Sequence, residues 1–152
     1  MGEQLTLKIF QEEDIDLLFE WVNEEGCRKN SFNPEPIDYE THVNWCLDKI
    51  TSEEVDIFIV YLQNIPVAQL RFLYEKHKAL ISYSIDKNYR GMGLGYRVIK
   101  LIDQEACYKD ACKTLIGKVK KDNLPSQKIF ERCGYTKKIE YDHYIYIKDI
   151  SL

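Results

Sequence analysis

Hydrophobic and polar residues alternate over positions 5–9 and then recur at helical spacing over positions 15–22. The first pattern is typical of a strand with one buried face, and the second is typical of an amphipathic helix. The acidic residues at 12–14 favour a helix N-terminus at this point. Gly26 is expected to end the helix, and the polar segment 28–36, which contains two prolines, is expected to form a loop.

The middle of the chain predicts a second helix and then three strands. The helix is expected to begin near Tyr39 and to reach Ile50. β-rich runs follow at 55–62, 66–74 and 79–85. The dipeptide Gln63-Asn64 separates the first two runs and is typical of a hairpin turn.

The second half of the chain continues to mix strands and helices. The glycine-rich segment 91–95 leads into a helix, 114–119 is a strand, and 126–132 is a short helix that ends at Gly134. Residues 135–150 supply one or two further strands. Strands outnumber helices and the two interleave. This predicts a single α+β domain over residues 1–152, with helices on the faces of a mixed sheet.

Composition excludes several classes of protein. Of the 152 residues, 45% are hydrophobic and 30% are charged, and the longest apolar runs are too short to cross a bilayer. The first residues lack the basic and apolar regions of a signal peptide, so a cytoplasmic protein without a membrane partner is expected. A net charge of −4 argues against a nucleic-acid partner. The five cysteines form no C-x-x-C pair and the three histidines are dispersed, so no metal site is expected.

The clearest chemical signal is the segment Arg90-Gly91-Met92-Gly93-Leu94-Gly95, which follows a predicted strand and opens a predicted helix. Glycine permits positive φ and close approach of a ligand to the backbone. A helix N-terminus offers unpaired N–H groups and a positive dipole end, which together bind phosphate. A tight turn that needs glycine is the alternative. A dinucleotide motif does not fit, because the sixth residue from Gly91 is Tyr96, and a P-loop would need Gly-Lys-Ser/Thr.

Two segments together resemble a known family. Residues 85–95 resemble the pyrophosphate-binding motif of the GNAT superfamily of N-acetyltransferases, with an Arg-x-x-Gly-x-Gly pattern that begins at Arg90. Residues 119–135 resemble the second cofactor block of that family. This block has a strand, Asn123, a small residue three places on at Ser126, a short helix and a Gly-aromatic pair. The order of elements also matches, so the resemblance covers nearly the full length of the chain.

The resemblance implies a fold and an acyl donor. The fold is α+β, with a central mixed, mostly antiparallel sheet of six to seven strands and about four helices on its faces. Two strands of this sheet splay apart at the site of the donor, acetyl-CoA. The residues implied to bind acetyl-CoA are Ile85, Arg90, Gly91, Met92, Gly93, Leu94, Gly95, Tyr96, Asn123, Ser126 and Phe130.

The resemblance also implies direct attack of an amine on the thioester in a ternary complex, with no covalent enzyme intermediate. Backbone N–H groups near Ser84 and Ile85 are expected to stabilise the carbonyl oxygen. Asn123, at the pantetheine or acetyl end, is a further catalytic candidate, and the base can be a carboxylate, a histidine such as His42, or ordered water. Many family members carry a tyrosine as general acid where this chain has Phe130. The usual acid is therefore missing, and water can protonate the thiolate.

The acceptor is expected between the first two helices, their connecting loop and the final strands. Candidate substrate-binding residues are Arg28, Asn30, Ser31, His42, Trp45 and Tyr83, and the alternative for His42 is a buried structural histidine. The arrangement resembles family members that acetylate nucleotide-linked amino sugars, as in pseudaminic-acid and related pathways, and this acceptor is favoured. A peptide or protein N-terminal amine, and a non-catalytic acyl-CoA-binding module, are the alternatives. A homodimer is compatible with the resemblance.

Overall fold

The computed structural model describes residues 4–150, so residues 1–3 and 151–152 of the predicted domain lie outside the described part. The helices are α1 (Ile15–Asn23), α2 (Glu25–Asn30), α3 (Tyr39–Ile50), α4 (Leu94–Glu105) and α5 (Leu124–Arg132). The strands are β1 (Leu5–Ile9), β2 (Val55–Leu62), β3 (Ile65–Glu75), β4 (Lys78–Ile85), β5 (Thr114–Lys120), β6 (Thr136–Ile139) and β7 (His143–Asp149). Short 3-10 turns lie at Glu12–Asp14 and Lys87–Tyr89. Over the described range, no helix combines the length and apolar character needed to span a bilayer.

The strands form one sheet in the order β1-β2-β3-β4-β5-β7-β6. Every neighbouring pair is antiparallel except β4 and β5, which are parallel. The connection between these two parallel strands carries α4, as a parallel pair requires a long crossover. The predicted mixed, mostly antiparallel sheet with helices on its faces is confirmed.

The two faces of the sheet carry separate hydrophobic cores. α1 and α3 contribute to one core, in which Leu18, Cys46 and Ile59 are fully buried. α4 and α5 contribute to the other, around Val98 and Phe130. Full burial of an aliphatic or aromatic side chain stabilises a fold by about 1.5–3 kcal/mol. The helices expected at the acceptor and at the donor thus lie on opposite faces, and an opening in the sheet is needed to bring the two substrates together.

The turn between β2 and β3 follows the sequence expectation. Gln63 and Asn64 have φ values of 50° and 67°. Two successive residues with positive φ are typical of the type I′ hairpin turn, whose twist matches that of the strands. The predicted hairpin is confirmed.

The chain differs from the sequence-based prediction just after α1. A second short helix, α2, follows directly, so Gly26 lies inside a helix and the predicted loop begins only at Ser31. Glu24 starts this helix, because its carboxylate accepts from the N–H groups of Gly26 and Cys27 at 2.8 and 3.1 Å. Glutamate is not among the common N-cap residues, so the sequence pattern does not indicate this start.

Candidate active site

An opening lies in the sheet between its two parallel strands. β4 and β5 pair only over residues 78–81 and 114–117. Beyond Gly117, β5 continues beside β7, while residues 82–85 of β4 pair with β3 alone. One edge of this part of β4 is therefore free of strand partners, and the two parallel strands splay apart.

The phase of the β3–β4 ladder decides which N–H groups face the opening. The Asp86 N–H donates to the carbonyl of Val67 at 2.8 Å. Residues along an antiparallel ladder alternate between facing the partner strand and facing away from it. The Ser84 N–H is therefore directed to Gln69 on β3, and the Ile85 N–H is directed to the opening. The expectation for Ser84 as an oxyanion donor is therefore wrong, and Ile85 remains a candidate.

The glycine segment combines a left-handed backbone with open space. Gly91 and Gly93 both have a φ of +77°, and a Cβ at either position would meet no atom of the described chain within 4 Å. Gly93 is also the N-cap of α4, whose first N–H groups have no carbonyl partner within the helix. These N–H groups and the helix dipole suit an anionic group such as a pyrophosphate. Gly95 differs, because a Cβ there would lie 2.7 Å from Cδ1 of Ile129, so its role is close packing of α4 on α5.

One continuous cleft of about 670 Å³ joins the glycine segment, the opening and α2. The predicted cofactor residues that line it are Ile85, Arg90, Gly91, Gly93, Leu94, Gly95, Tyr96, Asn123, Ser126 and Phe130. The predicted acceptor residues that line it are Arg28, Asn30, Ser31 and Tyr83. Met92 is not in this lining, and its side chain is 59% exposed. Most of the predicted site residues thus meet at one place.

Tyr83, Ser126 and Asn123 form a hydrogen-bonded cluster in the wall of the cleft. The Tyr83 hydroxyl lies 2.9 Å from Oγ of Ser126. The Ser126 N–H donates to Oδ1 of Asn123 at 3.3 Å, so Asn123 is the N-cap of α5. Burial raises the pKa of Tyr83 to about 12. The hydroxyl is therefore protonated at neutral pH, and it lies beside the opening.

Phe130 fills the base of the opening. Its side chain is 2% exposed and stacks on Tyr146 with 5.5 Å between ring centroids. A Cβ at Gly117 would lie 2.5 Å from Cζ of Phe130, so the ring packs directly on the β5 backbone at the last residue paired with β4. A ring without a hydroxyl group fits this contact.

Arg90, one of the residues implied to bind acetyl-CoA, forms an ion pair with Glu24. Its guanidinium donates to the Glu24 carboxylate at 2.5 Å and to the Ile85 carbonyl at 3.1 Å. The hydrogen bond from Arg90, helped by the N–H groups of Gly26 and Cys27, outweighs burial and lowers the pKa of Glu24 to about 2. The pair needs glycine at position 26, because a Cβ there would lie 2.7 Å from Nη1 of Arg90. Arg90 thus links the glycine segment to the start of α2.

His42 and Trp45 do not line the cleft among residues 4–150, contrary to their predicted roles. His42 is 3% exposed, and its Nε2 lies 3.0 Å from the carbonyl oxygen of Ile15. Because a carbonyl only accepts, Nε2 carries the proton and donates to it. The Sγ atom of Cys46 lies 3.3 Å from the same nitrogen. His42 therefore ties α3 to the start of α1, and the structural reading replaces the catalytic one.

Arg28 lines the cleft, but its guanidinium is already hydrogen-bonded. It donates to the backbone carbonyls of Val22, Asn33 and Glu35. The side chain thus holds the loop that follows α2 against the end of α1. Asn30 and Ser31 line the same wall and take their positions from this loop.

Two cleft residues on β3 were not predicted from the sequence. Gln69 is 3% exposed, its Nε2 donates to Oγ of Ser84 at 3.1 Å, and its Oε1 has no hydrogen-bond partner in the part of the chain that the structure describes. Arg71 lies two residues further on, and its Cζ is 5.1 Å from the centroid of the Trp45 ring. The available signal was a pair of polar residues at alternate positions within an otherwise apolar strand.

The charged residues that line the cleft are all basic. They are Arg28, Arg71, Arg90, Lys118 and Arg132, and the lining includes no Asp, Glu or His of the described chain. A smaller pocket of about 390 Å³ adjoins the cleft at Ile85 and Arg90 and carries the carboxylates of Glu20, Glu24 and Asp86. The site therefore has a large basic compartment and a small acidic neighbour.

Known proteins share this architecture. A family model described as "Acetyltransferase (GNAT) domain" matches residues 4–136. No curated protein matches the chain.

Solved structures match nearly its whole length. The spermidine N-acetyltransferase from Vibrio cholerae, in complex with CoA and spermine, has a TM-score of 0.87 at 16% identity, covering 97% of this chain and 96% of its own. RimL, an alpha-N-protein acetyltransferase of a ribosomal protein in complex with coenzyme A, has a TM-score of 0.83 at 18% identity, covering 97% and 94%. The aminoglycoside acetyltransferase AAC(6')-Ib, in complex with coenzyme A, has a TM-score of 0.82 at 14% identity, covering 96% and 95%. At these identities the likeness establishes the fold.

Proposed function

The chain belongs to the GNAT acetyltransferase family and is an N-acetyltransferase, and from this premise we propose its two substrates. The acyl donor is acetyl-CoA, and the acceptor is the primary amine of an anionic small molecule, a nucleotide-linked amino sugar. The amine attacks the thioester directly, so no enzyme side chain carries the acetyl group.

The charge of the cleft is the observation that carries the acceptor proposal. Five basic residues line it, and no acidic residue of the described chain does. Arg90 is neutralised by Glu24, and the other four take part in no ion pair found within residues 4–150. Polyamines and aminoglycosides are polycations and would meet like charges there, at a cost in binding free energy. The diphosphate of a nucleotide-linked sugar would instead meet Lys and Arg side chains, which are its usual partners in proteins.

Three observations support acetyl-CoA as the donor. The unpaired N–H groups at the start of α4, with the open space beside Gly91 and Gly93, suit the pyrophosphate. The unpaired edge of residues 82–85 offers backbone groups to the pantetheine arm. The solved neighbours that contain CoA share this fold. Acetyl-CoA supplies an acyl group that is activated as a thioester.

The amine has to lose its proton before it attacks. The cleft lining within residues 4–150 contains no carboxylate or imidazole to serve as base. The nearby cations disfavour the protonated amine and so lower its pKa. Water in the open cleft can then take the proton.

Two groups of the chain serve the acyl transfer. The Ile85 N–H is directed to the opening and can donate to the carbonyl oxygen as negative charge develops on it, a contribution of about 100- to 1000-fold in comparable enzymes. The Tyr83 hydroxyl can protonate the sulfur as the C–S bond breaks and the N–C bond forms, and solvent can restore its proton through Ser126. Tyr83 would thus replace the tyrosine that many family members carry at the position of Phe130.

A peptide N-terminal amine is the second candidate, because one observation favours it. The smaller pocket beside Ile85 carries the carboxylates of Glu20, Glu24 and Asp86, which suit a cationic amine. Two of them are already engaged, Glu24 by Arg90 and Asp86 by Nε1 of Trp21 at 2.9 Å. This leaves Glu20 as the main free carboxylate for a peptide.

The experiment is an acceptor panel that measures thiol release from acetyl-CoA and the mass of the acetylated product. It includes a nucleotide-linked amino sugar, the free amino sugar, spermidine, an aminoglycoside and a short peptide. The nucleotide-linked sugar is expected to have the highest kcat/KM. If the enzyme prefers the peptide and Glu20→Gln removes this preference, the second candidate is established instead.

A further inference from the structure

Arg71 carries a positive charge into the cleft without a carboxylate to neutralise it. Its guanidinium lies over the Trp45 ring, and it takes part in none of the ion pairs found within residues 4–150. Burial lowers the pKa of Arg71, yet arginine stays protonated at neutral pH. Arg71 is half-buried, and a partly desolvated charge without a counter-charge is costly in free energy. This position therefore suits a site at which a bound ligand supplies the opposite charge.

Gln69 gives a second and independent indication of a ligand. Its side chain is 3% exposed, and its Oε1 lacks a hydrogen-bond partner in the described structure. Its other end is fixed, because Nε2 donates to the Ser84 hydroxyl at 3.1 Å. A buried acceptor without a donor is costly in free energy. Gln69 is part of the cleft lining, and a ligand that brings a donor to Oε1 would remove this cost.

The position of the two residues assigns them to the acceptor and not to the phosphates of the donor. The β2–β3 register places Arg71 beside Ile57 and Gln69 beside Ile59, and both isoleucines belong to the core formed with α1 and α3. The glycine segment instead leads into α4, on the opposite face. Along β4, Arg71 pairs with Ser82, three residues before Ile85. At a rise of about 3.3 Å per residue, the Cα atoms of Ser82 and Ile85 are about 10 Å apart along the strand.

We propose that Arg71 and Gln69 form the acceptor's recognition site, in which Arg71 binds a phosphate or carboxylate of the acceptor and Gln69 Oε1 accepts from a neighbouring hydroxyl. The planar guanidinium can donate two parallel hydrogen bonds to such an anion. The inference rests on the proposed function in one respect, which is that the anion bound by Arg71 is part of the acceptor substrate. In a nucleotide-linked amino sugar it is the phosphate attached directly to the sugar.

The test uses acceptors in matched pairs that differ by one anionic group. One pair is an amino sugar and its 1-phosphate, and the other is an amino acid amide and the free amino acid. Arg71→Met removes the charge and keeps an apolar stem against Trp45. Arg71→Lys keeps the charge without the planar fork. Lys8→Met is the matched control, because Lys8 also lies over an aromatic ring, that of Tyr61 at 4.8 Å, but outside the cleft.

Wild-type enzyme is expected to prefer the anionic member of the accepted pair. Arg71→Met should raise the KM of that member by about 10- to 100-fold and leave the neutral member and CoA binding unchanged. Arg71→Lys should recover part of the loss, and Lys8→Met should behave as wild type. Calorimetry on CoA-loaded protein should show the same selective loss for the sugar 1-phosphate without any need for turnover.

Other results would overturn the inference. Equal effects of Arg71→Met on both members of a pair, or no binding of the anionic member by the wild type, would show that Arg71 does not recognise an acceptor anion. If Arg71→Met loses acyl transfer from succinyl-CoA but keeps transfer from acetyl-CoA, Arg71 binds the acyl group of the donor instead. If the amino acid pair alone shows the Arg71-dependent preference, the recognition site stands and the sugar acceptor is wrong. If the sugars are acetylated equally well by Arg71→Met, the sugar acceptor stands and the recognition site is wrong.

Discussion

Glu24 offers the sharpest test of how α2 and the glycine segment are joined. Its carboxylate caps α2 and pairs with Arg90 at the start of the glycine segment. Glu24→Gln keeps a side-chain oxygen that can accept from the N–H groups of Gly26 and Cys27, and it removes the charge. The variant therefore isolates the ionic part of the Glu24–Arg90 contact from the capping part.

The size of the effect follows from the pKa of Glu24. The value falls from 4.5 to about 2, and 2.5 pKa units at 1.36 kcal/mol each give an upper limit of about 3.4 kcal/mol. Solvent screens the pair, because the Arg90 side chain is 40% exposed and that of Glu24 is 19% exposed. The capping N–H groups, which the variant keeps, also contribute to the lowered pKa, so a loss of about 0.5–1 kcal/mol in the free energy of unfolding at pH 7 is expected.

The pH dependence has a definite sign. A depressed carboxylate pKa gives stability that is present above the unfolded-state value of 4.5 and is lost as the pH falls towards 2. Urea unfolding of wild type and Glu24→Gln should therefore differ most at pH 7, and the two curves should converge between pH 4.5 and the acid limit of the native state. Glu75→Gln, at an exposed carboxylate at the end of β3, should follow the wild type throughout. Equal stability of Glu24→Gln and wild type at pH 7, or a gap that does not narrow in acid, would refute this reasoning.

Three further substitutions test separate parts of the site. Gly93→Val should weaken acetyl-CoA binding by at least about 10-fold, because position 93 has a φ of +77° and valine would both strain the backbone and place methyl groups in the phosphate space. Calorimetry measures the affinity, and a wild-type value would count against the phosphate site. Tyr83→Phe should lower kcat by about 100-fold without changing CoA affinity, and an unchanged kcat would mean that water alone protonates the sulfur. His42→Ala should cost about 1–3 kcal/mol in the free energy of unfolding and leave the KM for the acceptor unchanged, whereas a raised KM in a fully stable variant would restore the substrate-binding role.

The local geometry of the glycine segment and of the start of α5 was predictable from the sequence because it depends on nearby residues. The segment from Arg90 to Gly95 has glycines whose spacing serves a strand-to-helix turn, and α4 begins at Leu94. Asn123 caps α5 and Ser126 supplies the donor that it caps, both within four residues. Such signals depend on residues that are close in sequence, so they can be recognised from the amino-acid sequence alone.

The acceptor side was less predictable because its contacts are distant in sequence. Glu24 caps α2, but the partner that fixes it, Arg90, comes 66 residues later. His42 is polar on an amphipathic helix and suggested a base, yet Ile15, 27 residues earlier, satisfies its Nε2 in the core. Arg71 joins the cleft only through the register of β3 with β4, which no local pattern specifies. Strand register and the burial of single polar side chains are tertiary properties.

The most direct test of the account is the ratio of kcat/KM for a nucleotide-linked amino sugar to that for spermidine, with acetyl-CoA as donor. Product mass and release of free CoA are measured together, so that transfer is separated from hydrolysis. The basic lining of the cleft predicts a ratio well above one and one CoA released per acetylated sugar. A ratio below one, or CoA release without an acetylated sugar, would contradict it.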